Sequence, residues 1–434
     1  MMARLLYSLA LHGLLPYVGL RLLWRARRQP AYLQHVGERF GLYPSPPAPL
    51  PRGERGVIWL HAVSVGETRA AQPLVTALRA AYPGQRILLT HMTPTGRDTS
   101  EVLFGEGVER AYLPYDYPWA VRRFLRHFRP RLGVFMETEI WPNLIAACGA
   151  AGVPLLLLNA RLSARSARGY ARFRRLTRPA LAGFRAIAAQ TQDDAARLRQ
   201  LGAAHVSVTG SMKFDVLPPA AQLAAGRALR RRFGSRPVLL AASTRDGEEA
   251  LLLDAFARAR LPEALLVLVP RHPQRFDEVA ALARTRGLRL ARRSSDEDIA
   301  PDSRVVLGDS MGEMFAYYAA CDVAFIGGSL LPYGSQNLIE ACAVGVPVLV
   351  GPSTYNFAEA ADKAVAAGAA LRVADADEVM RRAGELLADE AARRRMGEAG
   401  KAFTAQHRGA TARALGLVEE ILGRPEEATA PAAR

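Results

Sequence analysis

Asn337 and Glu340 stand three residues apart, shortly after the run Val323-Ala324-Phe325-Ile326-Gly327-Gly328-Ser329. Residues at i and i+3 of a helix share a face, so Glu340 can accept hydrogen bonds from a sugar diol beside the Asn337 amide. The apolar run reads as a buried strand. Gly327 and Gly328 read as a turn that lets a phosphate approach the backbone, and a helix opening there offers N–H groups and a positive dipole end. Gly345-Val346-Pro347 leads into the next strand. These features suit the nucleotide end of a nucleotide sugar. For the glycine pair by itself, an ordinary strand–turn–helix connection without ligand is the plain alternative.

A second set of residues suits acid–base chemistry. His61-Ala62-Val63-Ser64-Val65-Gly66-Glu67 follows an apolar run, with Gly66 in a tight turn and Glu67 at a helix start. A carboxylate there can take a proton from an acceptor hydroxyl, or merely complement the helix dipole. Glu137-Thr138-Glu139-Ile140-Trp141-Pro142-Asn143 ends another run and brings two more acids, as a polar element near an acceptor or as a helix cap with a core tryptophan. Asn159-Ala160-Arg161-Leu162-Ser163-Ala164-Arg165-Ser166 opens a basic stretch that continues through Arg168, Arg172, Arg174 and Arg175. Arginine forks match phosphate geometry, although a charge run is also what a solvated helix face looks like.

Several loops place polar or cationic groups after strands. They are Ser211-Met212-Lys213-Phe214-Asp215, Ser243-Thr244-Arg245-Asp246-Gly247-Glu248, and Arg271-His272-Pro273-Gln274-Arg275-Phe276. Together they can neutralise a nucleotide phosphate. Asp309-Ser310-Met311-Gly312-Glu313-Met314 opens a helix whose backbone can read a base edge. No Walker loop, GxSxG or HExxH occurs. Asp296-Glu297-Asp298 and Asp375-Ala376-Asp377 fall in loop-like contexts, the second like a helix cap, and neither is read as a metal site; no cofactor is expected.

The elements that must position these residues are short apolar runs alternating with helical patterns. Strands are expected near 57–61, 87–91, 132–137, 154–158, 186–190 and 206–209, and again near 237–242, 265–269, 305–307, 323–326 and 348–350. Such alternation predicts α/β units with parallel sheets. Two doubly wound domains are expected, 31–211 and 236–401, with a polar connection over 212–235. A helix over 402–422 is expected to pack back on the first domain, ahead of a disordered tail over 423–434. Two such domains face to face leave a cleft lined by the C-terminal ends of strands, where open α/β sheets bind ligands. No internal repeat is visible.

At 434 residues, two domains are the default, and a half-hydrophobic composition excludes a disordered chain. The net charge of +16 implies an anionic partner: nucleic acid, phospholipid head groups or a phosphorylated substrate. No nucleic-acid motif with interleaved aromatics supports the first. Three scattered cysteines fit a reducing compartment rather than a disulfide framework or zinc site. Residues 5–24 are mostly apolar, broken by His12, Pro16 and Arg21, and followed by Arg25, Arg27 and Arg28. No cleavage site of small residues follows, so a secretory signal is not expected. The run barely reaches the roughly 20 residues of a membrane span. A single span and a helix lying in the interface both stay open, with a buried soluble helix third; 1–30 is read as a membrane anchor. The arginines hold its C-terminal flank, and so the domains, on the cytoplasmic side. A proline-rich linker over 44–51 separates anchor and domain.

Taken in order, these motifs resemble the 3-deoxy-D-manno-octulosonic acid (Kdo) transferases. The resemblance rests on the N-terminal apolar helix, Ser64-Val65-Gly66-Glu67, Glu137-Thr138-Glu139-Ile140-Trp141-Pro142-Asn143, Asn159-Ala160-Arg161-Leu162-Ser163, Lys213-Phe214-Asp215, Pro270-Arg271-His272-Pro273, and Gly327-Gly328-Ser329 with Asn337 and Glu340. It runs from the first residues to about 357 and more weakly beyond. It implies a GT-B fold and an inverting, metal-independent transfer from CMP-Kdo to a lipid A precursor at the cytoplasmic face of the inner membrane. By resemblance, Glu67 is the general base, with Ser64, Gly66, Glu137, Arg161 and Arg165 toward the acceptor. Lys213, Ser243, Arg271 and His272 surround the donor's phosphate or carboxylate. Gly312, Glu313 and Met314 meet the cytosine, and Gly328, Ser329, Asn337 and Glu340 complete the donor site. The family usually has a histidine before the Asn337 position, prolines around the glutamate and a glycine after Gly334; here Gln336, Leu338, Ala341 and Ser335 stand instead. Rival readings are a GT-B enzyme or epimerase using a UDP-sugar, and a non-catalytic protein binding anionic lipid.

Overall fold

The computed structural model of this chain describes residues 2–43, 56–259, 261, 263–295 and 299–423. The expected linker over 44–51, the Asp296-Glu297-Asp298 string and the tail beyond Gly423 lie outside the described residues. The fold divides into two units, 2–215 with 408–423, and 216–407.

The first unit is built on seven parallel strands: β1 (Ile58–His61), β2 (Ile87–His91), β3 (Glu109–Tyr112), β4 (Leu132–Met136), β5 (Leu155–Ala160), β6 (Ala186–Ala189) and β7 (Val206–Val208). Their order is β3-β2-β1-β4-β5-β6-β7. Alternate residues of the central strands face opposite cores. Val57, Trp59 and Phe135 join one cluster, while Ile58, Leu60 and Val134 join the other. Both faces are covered, which is why these strands read as unbroken apolar runs.

The second unit repeats this plan with β8 (Val238–Thr244), β9 (Leu265–Pro270), β10 (Leu290–Arg292), β11 (Val305–Leu307), β12 (Val323–Ile326), β13 (Val348–Val350) and β14 (Ala370–Arg372). The order is β10-β11-β9-β8-β12-β13-β14. The sequence pattern missed β3, β10 and β14. All three are sheet edges, where one neighbour is absent and the apolar run that marks a doubly covered strand is not needed.

Two further expectations change. The stretch 212–235 contains the helix Ala220–Phe233, which packs on Met314–Ala320 within the second unit. Residues 402–422 are not one helix: Glu390–Gln406 ends in the second unit and Ala410–Leu422 begins in the first. Gly409 between them is left-handed (φ 95°), a conformation that breaks a helix and suits glycine. Ala410, Ala414 and Val418 then pack into the core beside β1.

The N-terminus forms α1 (Met2–Gly13) and α2 (Leu15–Arg28), bent by 52° at their junction. No single described helix is long and apolar enough to cross a membrane, although this pair passes the length and composition test together. Leu5, Leu6, Leu9, Leu20, Leu23 and Trp24 are exposed. The opposite face of α1 is docked: the Tyr7 hydroxyl bonds the buried Asp116, and Ser8 Oγ donates to Asn143 Oδ1 at 3.0 Å.

Candidate active site

In the first unit, strand order reverses between β1 and β4, so the loops after these strands border a crevice at their C-terminal ends. The helix α3 (Val65–Ala81) starts in one of those loops, with Ser64 as its N-cap and Glu67 in its first turn. Glu67 is buried, 9% exposed. Its Oε2 accepts the Val63 N–H at 2.6 Å, while Oε1 has only the Ser64 hydroxyl at 3.3 Å. Burial pushes its pKa up to about 8; the Val63 N–H opposes this, and Glu137 and Glu139 add to it. Glu139 is itself pushed up to about 7 by burial, against the bond it accepts from Trp141 Nε1 at 2.7 Å. Three carboxyls therefore share this crevice. Glu137 sits at φ 60°, a strained setting for a side-chain-bearing residue. His61 is no rival base. Burial drives its pKa down to about 3, and its Nδ1 is held by Thr90.

The acceptor-side residues extend from there. Thr138 Oγ1 donates to the Arg161 carbonyl, tying the acid loop to the end of β5. Arg161 and Arg165 are exposed, and Ser163 caps the helix Ala164–Arg172 that carries Arg165. Asn159, buried at φ 54°, accepts the Met212 N–H through Oδ1 and so holds the short turn bearing Lys213. Lys213 thus belongs to the first unit, while the other expected donor residues belong to the second.

In the second unit the reversal falls between β8 and β12. Ser243, next to last in β8, sits at φ 56°. A Cβ on Gly327 would lie 2.6 Å from the Ser243 carbonyl oxygen, so only glycine fits this approach. Arg271 N–H bonds the Thr244 carbonyl at 2.9 Å, drawing the β9 loop beside it. His272 is pushed below its ordinary pKa by burial first and then by Arg245, Arg271 and Arg275. Arg275 is tied to the buried Glu249 and to Glu278. Arg245, part of a loop already read as facing a phosphate, stacks over the Tyr333 ring, 4.7 Å to its centroid, and stands with Arg271 as an anion-binding candidate.

The glycine turn itself differs from expectation. Its N–H groups do not await a phosphate: Gly328 and Leu330 donate to the two oxygens of Glu248 at 2.6 and 2.9 Å, and Arg245 N–H to Oε2 at 2.8 Å. Ser329 is fully buried, donates to the Ile326 carbonyl and accepts the Gly351 N–H. Both Gly328 and Ser329 shape the loop from inside. Asn337 lies ahead of the helix Ile339–Val344 and not on it, so the pair does not share a helix face as expected; Asn337 Nδ2 nonetheless donates to Glu340 Oε1 at 3.0 Å, and its Oδ1 accepts the Ile339 N–H. The Gly312 carbonyl accepts from Gln222, and Glu313 is held by Ser310 and Arg293, just ahead of Met314. Glu248 was missed by the motif reading; its signal is its position, an acid at a helix start after the first strand of its unit, the counterpart of Glu67.

Residues 34–216 match the sequence profile of the 3-deoxy-D-manno-octulosonic-acid transferases, and residues 250–403 that of the group 1 glycosyl transferases. The 3-deoxy-D-manno-octulosonic acid transferase of Bordetella pertussis is 50% identical, over 97% of this chain and all of its own length. That of Haemophilus influenzae is 38% identical over 92% of this chain and 93% of its own. The UDP-GlcNAc 2-epimerase of Neisseria meningitidis shares the fold alone, at 15% identity and a TM-score of 0.57, over 84% of this chain and 99% of its own. With two doubly wound parallel units of GT-B type and this match across nearly its whole length, the chain belongs to the Kdo transferases, glycosyltransferases of lipopolysaccharide biosynthesis.

Proposed function

We propose that this chain transfers Kdo from CMP-Kdo to a lipid A precursor, lipid IVA, with inversion and without a metal, and that Glu67 is the general base. One observation carries the reading. Glu67 stands in the crevice of the first unit with a weakly held Oε1, and burial raises its pKa to about 8. A base poised near the working pH is both available and strong enough to take a hydroxyl proton. Proton removal at the acceptor oxygen accompanies attack on the sugar's anomeric carbon, and CMP leaves from the opposite face. The leaving phosphate is a monophosphate, so its charge can be met by Arg271 and Arg245 in place of a metal ion. Lys213, Ser243 and His272 are assigned to the same donor group, Gly312, Glu313 and Met314 to the cytosine, and Asn337 and Glu340 to the nucleotide sugar. Arg161 and Arg165, with Ser64, Gly66 and Glu137, are assigned to the acceptor.

The chain is further proposed to work at the cytoplasmic face of the inner membrane, with α1 and α2 lying in the interface. The polar docking of α1 through Tyr7 and Ser8 supports a helix laid along its unit over one threaded through a bilayer. Its outward leucines and the arginines of α2 fit a helix in an anionic surface.

The test is direct. The purified chain and its Glu67→Gln variant are incubated with freshly generated CMP-Kdo and lipid IVA, and the lipid is weighed by mass spectrometry. A gain of Kdo mass that the variant loses supports the reading. Transfer at undiminished rate by the variant removes Glu67 from its role, and no transfer by either, with an active control, removes the substrates.

A further inference from the structure

The basic stretch after Arg165 ends in an exposed aromatic residue that the proposed chemistry does not use. Phe173 is 68% exposed and joins the helices Ala164–Arg172 and Arg174–Ala182. The elbow is rigid. Phe173 N–H donates to the Tyr170 carbonyl, and the Phe173 carbonyl accepts from Leu176 and Thr177. Tyr170 and Ala167 pack into the core on one side, which turns Phe173 and its flanking Arg172, Arg174 and Arg175 outward. None of these three arginines forms an ion pair among the described residues; other helices carry both matched arginines, as Arg197 with Asp193 and Arg382 with Glu385, and unmatched ones such as Arg122 and Arg126, but here three stand together around an exposed aromatic ring. The helix Arg174–Ala182 also packs against α1, whose outward face is leucine-rich.

We propose that the Phe173 elbow is a second membrane contact, separate from the N-terminal helices: its ring enters the boundary between head groups and acyl chains of an anionic bilayer while Arg172, Arg174 and Arg175 meet the lipid phosphates. The combination argues for lipid. Unmatched cations suit an anionic surface, and an exposed aromatic ring among them gains by leaving water at that surface. The neighbouring apolar face of α1 gives the elbow a surface to continue.

The experiment uses the full chain carrying Phe173→Trp and vesicles of phosphatidylcholine and phosphatidylglycerol, with ordinary or brominated acyl chains. The unsubstituted chain, with Trp24, Trp59, Trp119 and Trp141, sets the background. The expected result is additional quenching by brominated lipid in the variant. Independently, a full chain carrying Arg172→Ala, Arg174→Ala and Arg175→Ala is expected to lose at least tenfold in partition to the anionic vesicles at low salt, given roughly fivefold per surface charge. No added quenching, or unchanged partition in the triple variant, overturns the proposal. Neither readout involves a nucleotide sugar, so failure here leaves the proposed transfer reaction standing, and the reverse.

Discussion

Glu67 and Glu248 occupy equivalent places, each at a helix start after the first strand of its unit, yet their surroundings give them different work. Glu248 is fully buried and holds three backbone N–H groups, so it is a structural clamp. Glu67 has one firm N–H bond and a nearly free oxygen. With its pKa near 8, the base is half in its active form at that pH and increasingly protonated below it. We therefore expect kcat/KM to climb as pH rises toward about 8, and Glu67→Gln to lose about 10²–10⁴-fold in turnover with the slope abolished. The same shift has a stability sign. The folded pKa lies above the ordinary carboxyl value of 4.5, so folding holds a proton that the unfolded chain releases, and stability falls as pH rises from about 4.5 through about 8. Glu67→Gln should therefore melt higher than the unsubstituted chain, with the gap in Tm widening from pH 5 to pH 9. A constant gap would show that the carboxyl titrates normally.

At the scale of elements, the loop after β12 is where the sequence was read least well. The motif Gly327-Gly328-Ser329 located the loop, but the partner of its N–H groups is some 80 residues away in sequence at Glu248, and spacing alone does not disclose such a pairing. The central strands were legible because burial on both faces demands apolar runs, and the edges β3, β10 and β14 were not, because it does not. Glu67 was legible because Ser64 and Gly66 mark a helix start; the raised pKa was not, since it follows first from burial, with Glu137 and Glu139 adding to it. Two substitutions test the loop. Glu248→Ala leaves buried N–H groups without partners and should cost about 3 kcal/mol or more in urea unfolding. Ser335 sits at φ 68°, a region that favours glycine. Ser335→Gly should relieve that strain and stabilise by about 1 kcal/mol; a destabilised variant would mean that the serine hydroxyl, bonded to the Gln336 carbonyl, outweighs the strain.

Across the whole molecule, the chain leaves the first unit after Asp215 and returns to it at Arg408. Asp215 ties the two passages together, since its carboxylate accepts the N–H groups of Gly409 and Thr411 at the start of the helix Ala410–Leu422. Asp215→Ala should cost about 1–2 kcal/mol, the usual worth of a helix cap, measured by thermal unfolding. Removing everything from Arg408 onward should give insoluble protein, because Ala410, Ala414 and Val418 complete the core under β1. At the other end, Asp116 takes the Tyr7 hydroxyl on one side and the N–H groups of Asn143 and Leu144 on the other. The helix Pro142–Ala150 that it caps begins directly after Glu139 and Trp141. Whoever shortens this protein at its front end for easier handling will also be editing the floor beneath its acids, and a sluggish trimmed enzyme would then be blamed on poor access to lipid when part of the fault is a loosened loop. A short-chain, water-soluble acceptor separates the two, because a defect that persists with it belongs to the loop.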